Sequence, residues 1–252
     1  MHARTLLLPI TLIGILGRAP GPIVVYIAGD STAAEKLASK RPETGWGEML
    51  GQYFRPGEVR VADRALNGRS TKSFIAEGRW RAITDSLRAG DYVLIQFGHN
   101  DESKDKGDRY TPPDEFKHNL AMMVDDVRAK QAYPVLLTPI RRRKFGQDGR
   151  LEDTHGEYPG YTRSVAATMH VPLIDMHEGT AELLSSYGAD SSAKLFLQLE
   201  KGEHANYPDG VHDNTHLRPL GAELVARLAV EGIRALRLDL ATHLNSAMGR
   251  AS

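Results

Sequence analysis

Residues 23–33 read Ile23-Val24-Val25-Tyr26-Ile27-Ala28-Gly29-Asp30-Ser31-Thr32-Ala33. An unbroken apolar run rich in β-branched residues predicts a short strand buried on both faces, and Gly-Asp-Ser-Thr predicts a turn leading into a helix. A doubly buried strand belongs in a parallel sheet covered by helices. Outward from this run, residues 59–62 form a weaker strand, 92–97 the clearest one, and 134–138 and 171–174 two more. Amphipathic stretches lie between them at 74–88, 113–130, 158–169 and 220–236. In the second, Phe116, Leu120, Met123, Val124 and Val127 recur at helical spacing behind a Pro112-Pro113-Asp114-Glu115 start. Strands alternating with helices predict a single-domain α/β fold with three α/β/α layers around a five-stranded parallel sheet, flavodoxin-like in outline. The domain spans 23–240, with no repeat or linker inside it, and 241–252 are expected to form a C-terminal tail.

The chain has 252 residues, with 32 Lys and Arg against 32 Asp and Glu and no cysteine. Zero net charge removes the electrostatic argument for nucleic acid or an anionic membrane as partner. Without cysteine there is no disulfide scaffold, thiol nucleophile or Cys-ligated metal. At the N-terminus, a short basic start (Met1-His2-Ala3-Arg4) precedes an apolar run over residues 5–17. Thirteen residues are too few to span a bilayer but suit the core of a signal peptide. Residues 1–22 are thus expected to be a signal peptide or disordered N-terminal extension, and the protein secreted or periplasmic with the first, otherwise cytoplasmic. The following Arg18-Ala19-Pro20 is a poor cleavage site.

In an open parallel sheet, chemistry gathers beyond the carboxyl ends of the strands. Ser31 follows the first strand on a Gly-led turn, where its Oγ and backbone N–H can face a bound molecule; read alone, Asp30-Ser31-Thr32 is an ordinary helix cap. Gly68 follows the second strand and can bring a backbone N–H close to a ligand. Asn100, in Gly98-His99-Asn100-Asp101 after the third, can offer side-chain N–H donors. Three donors at successive strand ends can converge on one oxyanion. A serine nucleophile needs a base and an orienting carboxylate. The stretch 208–216 (PDGVHDNTH) offers Asp213/His216 and Asp209/His212 at equal spacing, which spacing cannot separate. The same stretch carries a rival: His212 and His216 at i and i+4 could hold zinc, with His204 or Asp209 as third ligand.

The set Gly29-Asp30-Ser31, Gly68, Gly98-His99-Asn100-Asp101 and Asp213-x-x-His216 resembles, in order and spacing, the four blocks of the SGNH (GDSL-type) hydrolases. Residues 67–74 (NGRSTKSF), Gly45-Trp46-Gly47, 153–159 (DTHGEYP), 213–217 (DNTHL) and Gly221-Ala222 look like the rhamnogalacturonan acetylesterase group of that superfamily. The resemblance implies Ser31 as nucleophile, His216 as base and Asp213 as its orienting carboxylate. It implies an oxyanion hole from the N–H groups of Ser31 and Gly68 and the Asn100 side chain. It also selects Asp213/His216, because the family's final block leads straight into the last helix. Removal of acetyl groups from a plant cell-wall polysaccharide follows, with neither metal nor cofactor. The implied partner is the acetylated polymer or oligosaccharide; oligomeric state is not encoded in these features. Acetylated xylan or small acyl esters are alternative substrates, and a non-catalytic carbohydrate-binding domain is the alternative class. Trp46, His99, His155, His212 and Arg141, in the basic run Arg141-Arg142-Arg143-Lys144, are candidate substrate contacts.

Overall fold

The computed structural model describes residues 21–245, so the expected signal segment lies outside the described residues, Gly21 and Pro22 excepted. In chain order the main elements are β1 (Ile23–Gly29), α1 (Trp46–Leu50), β2 (Val59–Asp63), α2 (Thr71–Ala76), α3 (Arg79–Thr84), β3 (Tyr92–Gln96), α4 (Pro113–Ala129) and β4 (Tyr133–Leu137). They continue with α5 (Tyr158–Met169), β5 (Leu173–Ile174), α6 (Met176–Ser191), β6 (Phe196–Leu199), β7 (Val211–Leu217) and α7 (Pro219–Ala235). Five parallel strands pair in the order β2-β1-β3-β4-β5.

Alternation along β1 divides the interior. Ile23, Val25 and Ile27 enter one core with Trp46, Leu50, Val225, Ala229 and Ile233, beneath α1 and α7. Val24, Tyr26 and Ala28 enter the other with Phe74, Phe116, Leu120, Met123 and Val127, beneath α2 to α5. Each successive side chain of a strand points to the opposite face, so one doubly apolar strand feeds both layers. The chain turns to opposite sides of the sheet after β1, which has β2 on one edge and β3 on the other. A crevice opens between their carboxyl ends, and there the Gly29–Ser31 and Gly98–Asn100 segments emerge.

Four details depart from the sequence reading. The stretch 74–88 is two short helices separated by Gly78, whose φ of +70° breaks the run. Helix α6 had no forecast counterpart; it is rich in small and polar residues and carries a non-helical Gly188 (φ 73°). The segment 208–216 is not a loop before the last helix but largely strand β7, paired antiparallel with β6 through an irregular register. Packing also continues past the forecast tail boundary: Leu244 is buried and bridges to Phe54. Residues 246–252 lie outside the described residues. The turn that leads into β6 meets α7 closely, because a Cβ on Gly221 would lie 2.0 Å from the Leu195 carbonyl oxygen.

Candidate active site

The turn after β1 is built around Asp30. Its Oδ1 accepts from the Thr32 amide at 2.9 Å and the Thr32 hydroxyl at 2.8 Å, which tightens the turn and lifts Ser31 to the surface of the crevice. Burial raises the Asp30 carboxyl above its ordinary range, against those hydrogen bonds and the charge of Lys36.

Strand β7 supplies the partners of Ser31. The Asp213 carboxylate accepts backbone amides of Thr215 at 2.6 Å and His216 at 3.0 Å through Oδ1, while Oδ2 lies 2.6 Å from His216 Nδ1. Local amides thus fix the carboxylate before it meets the imidazole, and strand pairing fixes both, since the Gln198 amide on β6 donates to the Asp213 carbonyl at 2.9 Å. Burial works to raise Asp213, but the His216 hydrogen bond and charge and the two amides prevail, and the group is held below the ordinary carboxylate range. An ionised Asp213 assigns the His216 proton to Nδ1 and leaves Nε2 as acceptor. The Ser31 Oγ lies 2.9 Å from that nitrogen.

Opposite stand the ends of β2 and β3. Gly68 adopts φ +76°, which turns its backbone into the crevice. The Asn100 side-chain amide donates one hydrogen to the Arg69 carbonyl at 3.0 Å and retains a second donor. Buried Asp101 clips the two loops together, accepting the Thr71 amide at 2.8 Å, the Thr71 hydroxyl at 2.6 Å and the Gly98 amide at 3.0 Å. Burial, partly offset by these bonds, pushes Asp101 up to about 6.

An ion pair absent from the sequence reading underlies both sides. The Lys36 ammonium, buried, lies 2.9 Å from Glu43 Oε1 and 2.8 Å from Asn67 Oδ1, and it also donates to the Ser31 carbonyl. Its three donors tie the serine's own peptide to the residue before Gly68. Glu43 Oε1 is in turn 4.0 Å from His216 Nε2. Neither residue sits in a motif, so the sequence held no signal beyond their types. Ser31, Glu43, Asn67, Gly68, Asn100, Asp213 and His216 face a cleft of about 520 Å³, which Lys40, Lys106, Arg109, Arg142 and Tyr207 also line.

The forecast substrate contacts divide. His99 lines the cleft. Trp46 does not: its ring is fully buried and its indole N–H donates to Gln96 at 2.8 Å, anchoring α1 to β3. His155 is buried behind His99, its Nε2 2.8 Å from His99 Nδ1. Arg141 turns away, its backbone amide donating to Thr180 and its guanidinium 3.5 Å from Asp153. The cation of that run in the cleft is Arg142, which donates to the His99 carbonyl and pairs with Glu102 at 2.6 Å. His212 points outward to Gln198 Oε1 at 3.2 Å rather than to Asp209. The zinc arrangement fails for the same reason. His212 and His216 lie on a strand, and both His216 nitrogens are engaged by Asp213 and Ser31. Among the described residues, the side chains that could hold a metal are Asp153, His155 and His177, with donor atoms within 4.8 Å of one another. Arg141 already supplies positive charge there, and burial, then Arg142, His177 and Arg141, holds His155 well below the ordinary imidazole range.

In chemical terms the cleft presents a hydroxyl against an imidazole acceptor, a carboxylate behind the imidazole, and N–H groups across from the hydroxyl. That arrangement suits attack on a carbonyl and stabilisation of the resulting oxyanion.

Residues 27–224 match the GDSL-like lipase/acylhydrolase family. A rhamnogalacturonan acetylesterase of Bacillus subtilis (strain 168) is 44% identical over 229 residues, 91% of this chain and 97% of that protein. A rhamnogalacturonan acetylesterase of Emericella nidulans is 29% identical, over 80% of this chain and 81% of its own. The crystal structure of the Bacillus subtilis protein YxiM superposes with a TM-score of 0.74 at 25% identity, over 86% of this chain and 58% of that one. Axe2, an acetylxylan esterase from Geobacillus stearothermophilus, shares the fold, with a TM-score of 0.60 at 16% identity over 84% of this chain and 95% of its own.

Proposed function

The chain belongs to the GDSL-like lipase/acylhydrolase family, and we propose that within it this protein is a serine acetylesterase acting on acetylated rhamnogalacturonan. Carboxylic ester hydrolysis follows from the family and from relatives named as acetylesterases. The observation that carries the proposed chemistry is the 2.9 Å line from Ser31 Oγ to His216 Nε2, continued at 2.6 Å from Nδ1 to Asp213. The 44% identity to a rhamnogalacturonan acetylesterase supports the choice of polymer.

In this reading His216 takes the Ser31 proton as Oγ attacks the acetyl carbonyl, and Asp213 stabilises the imidazolium that forms. The Ser31 and Gly68 N–H groups and the free Asn100 donor receive the oxyanion; one such donor is worth roughly 3–4 kcal/mol at comparable sites. His216 then protonates the departing sugar hydroxyl. Water, deprotonated by the same imidazole, attacks the acetyl-Ser31 ester and releases acetate. Every proton travels through His216, so the mechanism calls on no further acid or base.

The test compares acetate release from acetylated rhamnogalacturonan, acetylated xylan and p-nitrophenyl acetate, with EDTA present. We expect the highest kcat/KM on rhamnogalacturonan and no loss to the chelator. Preference for xylan would overturn the polymer assignment while leaving the esterase. Abolition by EDTA would overturn the serine chemistry.

A further inference from the structure

The cations around the cleft outnumber their partners. Lys40, Lys106, Arg109 and Arg142 line it, against the carboxylates of Glu43 and Asp213. Glu43 is matched by Lys36, Asp213 by His216 and two amides, and Arg142 by Glu102. Among the described residues, Lys40, Lys106 and Arg109 form no close ion pair; Glu102, which pairs with Arg142, acts on Lys106 only from farther off. In a chain whose acidic and basic residues are equal in number, that surplus is local. Unpaired cations at the wall of a cleft with low-dielectric sides raise the concentration of an anionic ligand there.

Arg109 is placed most closely. Its Nη1 and Cζ lie 3.1 and 3.2 Å from where a Cβ on Gly68 would stand, so the guanidinium rests against that glycine. A side chain at 68 would meet strain at φ +76° and displace the arginine as well. The loop carrying Arg109 is tied down just beyond it. The Thr111 amide donates to the Asp101 carbonyl at 3.0 Å, the Tyr158 hydroxyl donates to the Thr111 carbonyl at 2.6 Å, and the Thr111 hydroxyl donates to the Arg109 carbonyl at 3.2 Å. Thr111 itself is fully buried. The Arg109 amide closes the turn onto the Lys106 carbonyl at 2.8 Å, which keeps both cations on one rim.

We propose that Arg109, with Lys106 beside it, binds the carboxylate of a uronic acid residue in the polymer and so presents the acetylated hydroxyl to Ser31. This deepens the reading of the preceding subsection and rests on it. A planar guanidinium receives a carboxylate through parallel N–H bonds, which fixes orientation as well as charge. A neutral xylan or a small ester lacks the matching group. The sequence directed attention to the basic run 141–144, whereas Lys106 and Arg109 come from the mixed-charge loop 101–109 (DESKDKGDR), where acidic and basic residues stand side by side.

The experiment measures acetate release by the whole protein, and by Arg109→Gln and Arg109→Lys, from two forms of acetylated rhamnogalacturonan. One form has free carboxylates; in the other they are methyl-esterified. Wild type should prefer the free-carboxylate form. Arg109→Gln should cut the ratio of the two kcat/KM values by about tenfold or more, chiefly through KM, and Arg109→Lys should recover part of it. Added salt should lower the wild-type rate on the charged form more than on the methylated one. Equal proportional losses on both forms would mark Arg109 as merely structural, and unchanged rates on both would remove it from recognition; either result overturns the proposal. A wild type that deacetylates xylan but neither form of rhamnogalacturonan would instead overturn the substrate reading beneath it.

Discussion

His216 leaves 27% of its side chain open to solvent and stands between a carboxylate at 2.6 Å and the Ser31 hydroxyl at 2.9 Å. His99 and His155 are 4% and 0% exposed, bonded to each other at 2.8 Å, with Arg142 beside them. Burial, followed by neighbouring positive charges, holds both of these well below the ordinary imidazole range. An imidazole that resists protonation is a poor base but a stable hydrogen-bonding prop, whereas one backed by an anion can accept and return a proton. The residue type is the same on both sides of the cleft. Its partners decide whether it does chemistry or holds a wall.

Removing the working side of that comparison should have the largest effect. His216→Ala and Asp213→Asn should each lower kcat by about 10⁴, the second because the imidazole loses the group that fixes its tautomer. Steady-state kinetics on p-nitrophenyl acetate reads both. Lys36→Met should come next, since it strands the Glu43 carboxylate in a buried site; a loss of about 3–5 kcal/mol is expected, read by denaturant unfolding. Glu43→Gln added to Lys36→Met should recover much of it, and failure to do so would mean the pair is not what stabilises this wall. Asn100→Ala should lower kcat by about 10²–10³ with KM little changed, because its free donor meets charge that develops only in the transition state.

The structural side gives the smallest and most pH-dependent effect. The unfolded chain protonates His155 near pH ~6.5, while the folded protein keeps it neutral to lower pH. Below that point the unfolded state binds more protons, so this residue's contribution to stability declines as pH falls. The Tm gap between wild type and His155→Gln should therefore narrow from about pH 7 to about pH 5, by about 2–4 °C for each kcal/mol of linkage. A gap independent of pH would sharpen the contrast differently, leaving packing rather than charge as the role of His155.

Much of the fold was legible because its strands announce themselves. Residues 23–28 and 92–95 are unbroken apolar runs, and the helical faces of α4 and α7 keep their spacing over four turns or more. Strand β7 escaped because its sequence, Val-His-Asp-Asn-Thr-His-Leu, is nearly all polar; its conformation is set by pairing with β6 and by the Asp213 carboxylate bonding its own backbone. Local polar bonding of this kind leaves no hydrophobic period to read. Ser31, Asp213 and His216 were legible through block order. Trp46 and His155 were misread because an aromatic or imidazole in a motif looks the same whether it faces a ligand or a core. Arg141 and Arg142 are neighbours that diverge, and nothing in the run tells which one turns to the cleft. Lys36 and Glu43, lone charges without a motif, become informative only when their burial and shared contact are seen.

In the proposed mechanism the Ser31 Oγ accepts the acetyl group. The most direct measurement is acetate release from acetylated rhamnogalacturonan by wild type and Ser31→Ala at equal concentration, with matched circular dichroism showing both folded. The variant should lose at least about 10³ in kcat, since binding and the other donors survive but the covalent route is closed. A Ser31→Ala protein within about tenfold of wild type would contradict that mechanism, because no rearrangement of binding can replace the nucleophile.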